Sequence, residues 1–217
     1  MNRPLRLATA ALAASAALLL SSCGSEDKPK DDDKIAGAEQ GDEQKPKAPS
    51  EPEQRADRPK IELPSDLTYE FAWAKTGDKT KDAVLADTEQ YVKAVDLAIA
   101  EQDPLHKAYR FYSEGTAAAG SQKFVKEYVD YKDRITGEKR YFNARVDLSG
   151  TKKAGLVYCE DQRKAHNKNI KTGKTAAAGA PSKDDFVLYS SRLRLNDKGV
   201  WVTETTTSDR GNDTCQP

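Results

Sequence analysis

The 217 residues predict an α+β domain, with N-terminal helices packed on one face of an antiparallel sheet, carried on a disordered tether. Three observations predict it. Apolar residues recur every three to four positions between about 80 and 134, the period of helices. From about 141 to 207 the period changes to two, the period of strands. From Gly24 to Asp66 neither period is present, and the segment is dominated by Lys, Asp, Glu, Gln, Pro, Gly and Ala.

The tether comes first. From Gly24 to Asp66 it holds 13 acidic and 8 basic residues and six prolines, and Ile35 is almost its only large apolar side chain before Ile61. Such a segment cannot bury enough area to offset the entropy of ordering it, and it reads as a solvated spacer. Asp31-Asp32-Asp33-Lys34 lacks the Gly and distal Glu of a calcium loop.

The body is expected to span 67–217 as one α+β domain, enough chain to bury a core of its own. Leu67-Thr-Tyr-Glu-Phe-Ala-Trp73 alternates as a strand or extended arm, and Gly77 breaks it. A helix from about Thr80 to Gln102 places Val84, Thr88, Tyr91, Val95 and Ile99 on one stripe, with Lys81, Asp87, Glu89, Lys93, Asp96 and Glu101 on its polar face. Asp103-Pro104 ends it. A short helix follows over 105–112, then a small-residue loop from Gly115 to Gly120, then a third helix capped by Ser121 and running to about Arg134. Thr136-Gly137 reads as a turn. Strands follow: one with Phe142, Ala144, Val146 and Leu148 on one face and Tyr141, Asn143, Arg145 and Asp147 on the other; Gly155 to Glu160; Phe186 to Leu195, with Val187, Tyr189, Leu193 and Leu195 together; and Val200 to Thr207 after an Asn196-Asp-Lys-Gly199 turn. Between the middle strands lies a long loop, Asp161 to Lys183. It sets Arg163, Lys164, Lys168, Lys171, Lys174 and Lys183 against one acid, a candidate contact for an anionic polymer or headgroup.

Residues 1–22 have the form of a signal peptide: Arg3 and Arg6, then a nearly pure Ala/Leu run to Leu20. Leu20-Ser21-Ser22-Cys23 resembles the lipobox of bacterial lipoprotein signal peptides. The resemblance implies cleavage before Cys23, a lipid on its sulfur, and a body tethered at the outer face of the cell membrane over a linker of residues 23–66. Two cysteines then remain, Cys159 and Cys215. An even remainder in an exported chain reads as one disulfide. Two free thiols or a metal site are the alternatives, and His106 and His166, the only histidines, do not fall at ligand spacing.

The order of these features resembles a known group. A lipobox and charged tether precede three helices and a meander, followed by Gly155-x-x-x-Cys159-x-Asp161, Thr172-Gly173-Lys174, Lys198-Gly199-Val200-Trp201-Val202 and a terminal Cys215. This is similar to secreted actinobacterial lipoproteins with a nuclear transport factor 2-like, or SnoaL-like, cone domain. The resemblance implies a strongly curved sheet around the first helix and a pocket at the open end of the cone. Enzymes of that superfamily hold an Asp, His or Tyr inside the cone, and the sequence singles out none here.

Function classes narrow accordingly. With 35 basic and 35 acidic side chains there is no overall field for nucleic acid, and the basic loop has no aromatic residue for stacking. No G-x-S-x-G occurs. Thr172-Gly173-Lys174 lacks the glycine-rich run of a phosphate loop. His106, just after a Pro-Leu pair, reads as a capping or solvated residue, and His166 as solvated. Tyr128, Tyr131, Tyr141, Tyr158 and Tyr189 are read as core rim, with a pocket lining as the sharper reading. No catalytic residue, metal or cofactor is assigned. The expectation is a lipid-anchored, non-catalytic binding or interaction module whose partner is an envelope protein, an anionic polymer or a small ligand. The alternative is a small-ligand pocket protein or a lyase- or isomerase-like enzyme using the cone interior.

The lipid assignment predicts that Cys23→Ala moves the protein from the membrane fraction to the soluble fraction, measured by immunoblotting after fractionation. Unchanged partition would remove it.

Overall fold

The computed structural model describes residues 57–217. The signal peptide, Cys23 and most of the tether lie outside the described residues. In chain order the body holds β1 (Leu67–Ala72), α1 (Lys79–Ala100), α2 (Lys107–Tyr112), α3 (Gly115–Tyr131), β2 (Asp133–Ser149), β3 (Lys153–Asn169), β4 (Phe186–Leu195) and β5 (Trp201–Arg210). The strands form one curved, unclosed sheet in the order β1-β2-β3-β4-β5, with the helices on its concave face. The α+β class and the helices-then-meander order are as expected. One pairing is not: β1 runs parallel to β2, with Leu67 opposite Gly137, as an added edge.

The last ten residues assigned to the tether belong with the body. Ile61 and Leu63 pack against the core, Arg58 pairs with the buried Asp87, and Asp66 accepts a two-pronged bond from Arg134 at 2.7 Å on each side. Two large apolar residues and two ion pairs suffice to seat a segment with no regular structure.

Helix α1 starts at its Asp78 cap, whose carboxylate accepts from the backbone N–H groups of Thr80 and Lys81. Its apolar stripe is buried as read, including Val84, Tyr91, Leu97 and Ile99. Its polar face is not wholly solvated, because Asp87 and Asp96 are 3% and 2% exposed. The Asp87 carboxylate accepts from the backbone N–H of Trp201 at 2.8 Å. Period alone cannot see such partners, which come from distant strands.

The segment Gly115–Gly120 is the start of α3, not a loop. Alanines favour helix, and the small side chains let α3 approach β5, where the Glu114 N–H donates to the Thr203 carbonyl at 2.9 Å. Gly137 is not a turn either. It sits inside β2 at φ +98°, and a Cβ there would come within 2.0 Å of the Lys164 carbonyl oxygen. A glycine that suits a turn also suits a close crossing of two strands.

Two bulges then reset the register of the β2–β3 pair, one between Glu138 and Arg140 and one between Phe142 and Arg145. At the second, Asn143 takes φ +54° and β2 carries one residue more than its partner. The expected faces are therefore half right. Ala144, Val146 and Leu148 do face the helices, but Tyr141 joins them, 1% exposed, whereas Phe142 turns to the convex face.

On that convex face Cys159 and Cys215 are joined, as the cysteine count suggested, across 56 residues. Phe142, Phe186 and Leu188 pack around them. Closing a loop of that length restricts the unfolded chain, so reducing the bond is expected to lower stability by about 4 kcal/mol. Urea denaturation with and without reductant measures this, and a shift below about 1 kcal/mol would contradict it.

Candidate functional site

Strand parity places the site. On β2, Lys139 and Tyr141 point into the concavity; on β3, Tyr158, Glu160 and Gln162; on β4, Val187 and Tyr189. Helix α1 presents Tyr91, Val92, Val95 and Asp96 from above, and α3 closes one side with Ser121, Phe124 and Tyr128. They enclose an open-ended cavity of about 430 Å³, within the range of small-molecule sites.

At its wall lies a network of three buried charges. The Lys139 ammonium stands 2.9 Å from Asp96 Oδ2 and 3.1 Å from Glu160 Oε1. Glu160 is saturated: the Tyr141 hydroxyl donates to Oε1 at 3.0 Å, and the Tyr189 hydroxyl and the Gln162 amide donate to Oε2 at 2.8 and 2.9 Å. Asp96 is served on one oxygen only, since the Tyr69 hydroxyl, at 2.7 Å, also donates to Oδ2. Among the described residues Asp96 Oδ1 and the Tyr158 hydroxyl have no hydrogen-bond partner, although Tyr158 is only 4% exposed.

Electrostatics separate the two carboxyls. Burial pushes Asp96 up, and Lys139 and Tyr69 offset this only in part. Burial also acts to raise Glu160, but Lys139 and the bonds from Gln162 and Tyr189 outweigh it and hold the group below the ordinary glutamate range. Burial acts to lower Lys139, and the two carboxylates outweigh it, so the amine stays an ammonium well above its ordinary value. Tyr128 is pushed up to about 12 by burial, and Tyr158, Tyr141 and Tyr189 are raised by burial and by the Glu160 charge.

The aromatic residues form a continuous layer under α1. Phe71 stacks on Tyr141 and Tyr158 on Tyr189, each at 5.1 Å between ring centres, and Trp73 meets Tyr158 edge-on at 5.9 Å. Of the five tyrosines singled out in the sequence, Tyr128, Tyr141, Tyr158 and Tyr189 line the cavity, and Tyr131 is 75% exposed.

The six basic residues of the expected anion loop are not brought together. Strand β3 runs nine residues past Glu160, so Arg163, Lys164 and Lys168 are strand residues. Each is paired: Arg163 with Asp161 at 2.7 Å, Lys164 with Glu138 at 2.8 Å and Lys168 with Asp66 at 2.9 Å. Only Lys171, Lys174 and Lys183 have no ion-pair partner among the described residues, and Lys183 stands apart in a short turn before β4. The loop is shorter than expected because the strand signal in 161–169 is hidden by charged side chains that pair along the strand and with neighbouring segments.

His106 caps α2, its Nδ1 accepting from the Ala108 N–H, as its position suggested. His166 is not simply solvated; it stands on β3 at the cavity mouth. Sequence reasoning missed Lys139, Asp96 and Glu160. A signal for two of them exists in strand parity, since Lys139 lies two residues before Tyr141 and Glu160 two after Tyr158.

No protein-family model and no curated protein matches the sequence. Solved structures similar to it include a ketosteroid isomerase-like protein from Erwinia carotovora atroseptica, at 12% identity over 61% of this chain and 97% of that one, with a TM-score of 0.42. The intermembrane space region of the chloroplast protein ARC6 is 12% identical over 61% and 98% of the two chains, at 0.37. The CamKII hub homology domain of Chlamydomonas reinhardtii is 13% identical over 60% and 97%, also at 0.37. At these scores the likeness carries no argument about this chain.

The network makes a prediction. Glu160, held low, stabilises the fold above the ordinary carboxyl range and loses this as pH falls through its lowered pKa. Lys139 stabilises below its ordinary 10.5 and loses this as pH rises through its raised pKa. Asp96, raised, favours its protonated form in the fold, and its contribution falls as pH rises between its ordinary 3.8 and the raised value. Lys139→Met strips both carboxylates of their counter-charge at a cost of about 3–5 kcal/mol at pH 7. Both carboxyls then take up protons on folding, so the deficit against the unaltered protein shrinks when denaturation is repeated at pH 5. An equal deficit at both pH values would contradict the arrangement.

Proposed function

We propose that this chain is an envelope lipoprotein whose body binds a small organic ligand in the cavity between α1, α3 and the sheet. One observation carries the binding half: two polar groups of the cavity wall, the Tyr158 hydroxyl and Asp96 Oδ1, make no hydrogen bond to protein among the described residues and are reached only from the cavity. A polar group that faces a cavity and has no protein partner is available to a ligand that carries the matching donor or acceptor. A module built only for structure gains by filling such a space with apolar side chains.

The chemistry of the wall favours binding over turnover. Glu160 is fully occupied, and Lys139 is a permanent ammonium with no free pair for nucleophilic attack. Asp96 is the one carboxyl of the wall with a free oxygen for proton transfer, and the Lys139 ammonium is already bonded to it. The lipobox-like segment and the even cysteine remainder support the location, as does a disulfide of the kind that persists in oxidising compartments.

Ligand-observed NMR of the purified full-length chain against a library of small organic molecules tests this reading. Binders are expected, and Tyr158→Phe is expected to weaken them about fivefold, the value of one hydrogen bond. A library without binders would remove the reading.

A further inference from the structure

We infer that the cavity selects an organic cation, an ammonium carried on a compact apolar or aromatic body; this rests on the ligand-binding reading above. Charge comes first. Asp96 and Glu160 face the cavity with Lys139 between them, so two carboxylates share one ammonium. Glu160 has four donors around its two oxygens. The carboxyl with bonding capacity to spare is therefore Asp96, whose Oδ1 is open and which is 2% exposed. Burial disfavours the charged form of this carboxyl, and a ligand cation at Oδ1 supplies the compensation that holds it as a carboxylate.

The remaining walls point the same way. Tyr91, Phe124, Tyr128, Tyr141, Tyr158 and Tyr189 supply aromatic rings, whose faces carry negative potential and attract cations. The molecule already uses this contact near the cavity: Lys93 Nζ lies 4.9 Å from the centre of the Phe71 ring, and Lys139 Nζ 5.7 Å from that of Tyr141. Both unpartnered oxygens, Asp96 Oδ1 and the Tyr158 hydroxyl, turn lone pairs toward a cation placed there.

An anion finds no comparable place. The Lys139 charge is already divided between two carboxylates. The other cation of the lining is Arg210 at the mouth, which is exposed and donates to the Asp184 carbonyl at 2.6 Å. Its field is screened by solvent, whereas that of the inner wall is not.

Calorimetric titration of the purified full-length chain with three probes of matched size tests the inference: benzyltrimethylammonium, its neutral carbon isostere neopentylbenzene, and phenylpropanoate. The first two differ only in charge. The cation is expected to bind at least about tenfold more tightly than the neutral isostere, with phenylpropanoate weakest. Asp96→Asn is expected to erase the ratio, and the comparison on the unaltered chain stands if that variant does not fold. Equal or tighter binding of the isostere, or tightest binding of the carboxylate, overturns the inference and leaves the pocket reading in place. Binding of none of the three overturns it as well, and a library screen that is also empty removes the pocket reading with it.

Discussion

The contact on which the rest of this structure depends is the Lys139 ammonium held between Asp96 and Glu160. It ties α1 to β2 and β3 at the centre of the concave face, and each partner is almost wholly withdrawn from water. Taking such ions out of water costs several kcal/mol each. The structure offsets this by surrounding the network with phenols: Tyr69 serves Asp96, and Tyr141 and Tyr189 serve Glu160. A phenol has the right combination for the position, an apolar ring that packs and a hydroxyl that donates. The tyrosines are thus core and polar partner at once, which is why assigning them to one role or the other from sequence did not succeed.

The network also explains why the backbone departs from ideal geometry where it does. A regular β2 would place Tyr141 and Val146 on opposite faces, five positions apart. The bulge at Asn143 absorbs one residue and returns both to the helix side. The bulge near Glu138 does the corresponding service for β3, letting Glu160 meet Tyr141 while Lys164 still reaches Glu138. Gly137 permits the close crossing beside it. Bulges bend the strand that contains them, and these two, with a third between Arg192 and Leu193, bend the sheet around α1. Curvature and cavity have the same cause.

Much of this was legible in the chain, and the remainder was hidden for definable reasons. Period and turn chemistry placed α1, α2, the inward face of β4 and the Asn196–Gly199 turn close to where they are. Cysteine arithmetic found the Cys159–Cys215 bond. The site was not found, because each of its charged members sits in a local context that reads as surface. Asp96 lies among Lys93 and Glu101 on a helix, and Lys139 among Glu138 and Arg140 on a strand. Asp96 and Lys139 lie 43 residues apart, and their other partners, Tyr69 and Glu160, stand on different strands. The lower part of β3 was lost for the opposite reason: Arg163, Lys164 and Lys168 belong to a strand stretch marked by paired charges, with no apolar alternation to reveal it. Burial by pairing leaves no trace in hydropathy.

Strand β3 carries both achievements of the body on its two faces. Tyr158, Glu160 and Gln162 turn inward and build the cavity wall, whereas Cys159 and Asp161 turn outward. The bond from Cys159 to Cys215 therefore grips the strand between Tyr158 and Glu160, at the residue that separates the open hydroxyl from the saturated carboxylate. Phe142, opposite Cys159 on β2 and turned outward by the same bulge that turns Tyr141 inward, packs against that bond. The convex face is thus an external clamp on the register that the concave face needs. A cavity whose wall holds ionisable groups withdrawn from water requires such a clamp, since relaxation that let Asp96 or Glu160 reach water would relieve their desolvation and dissolve the site together.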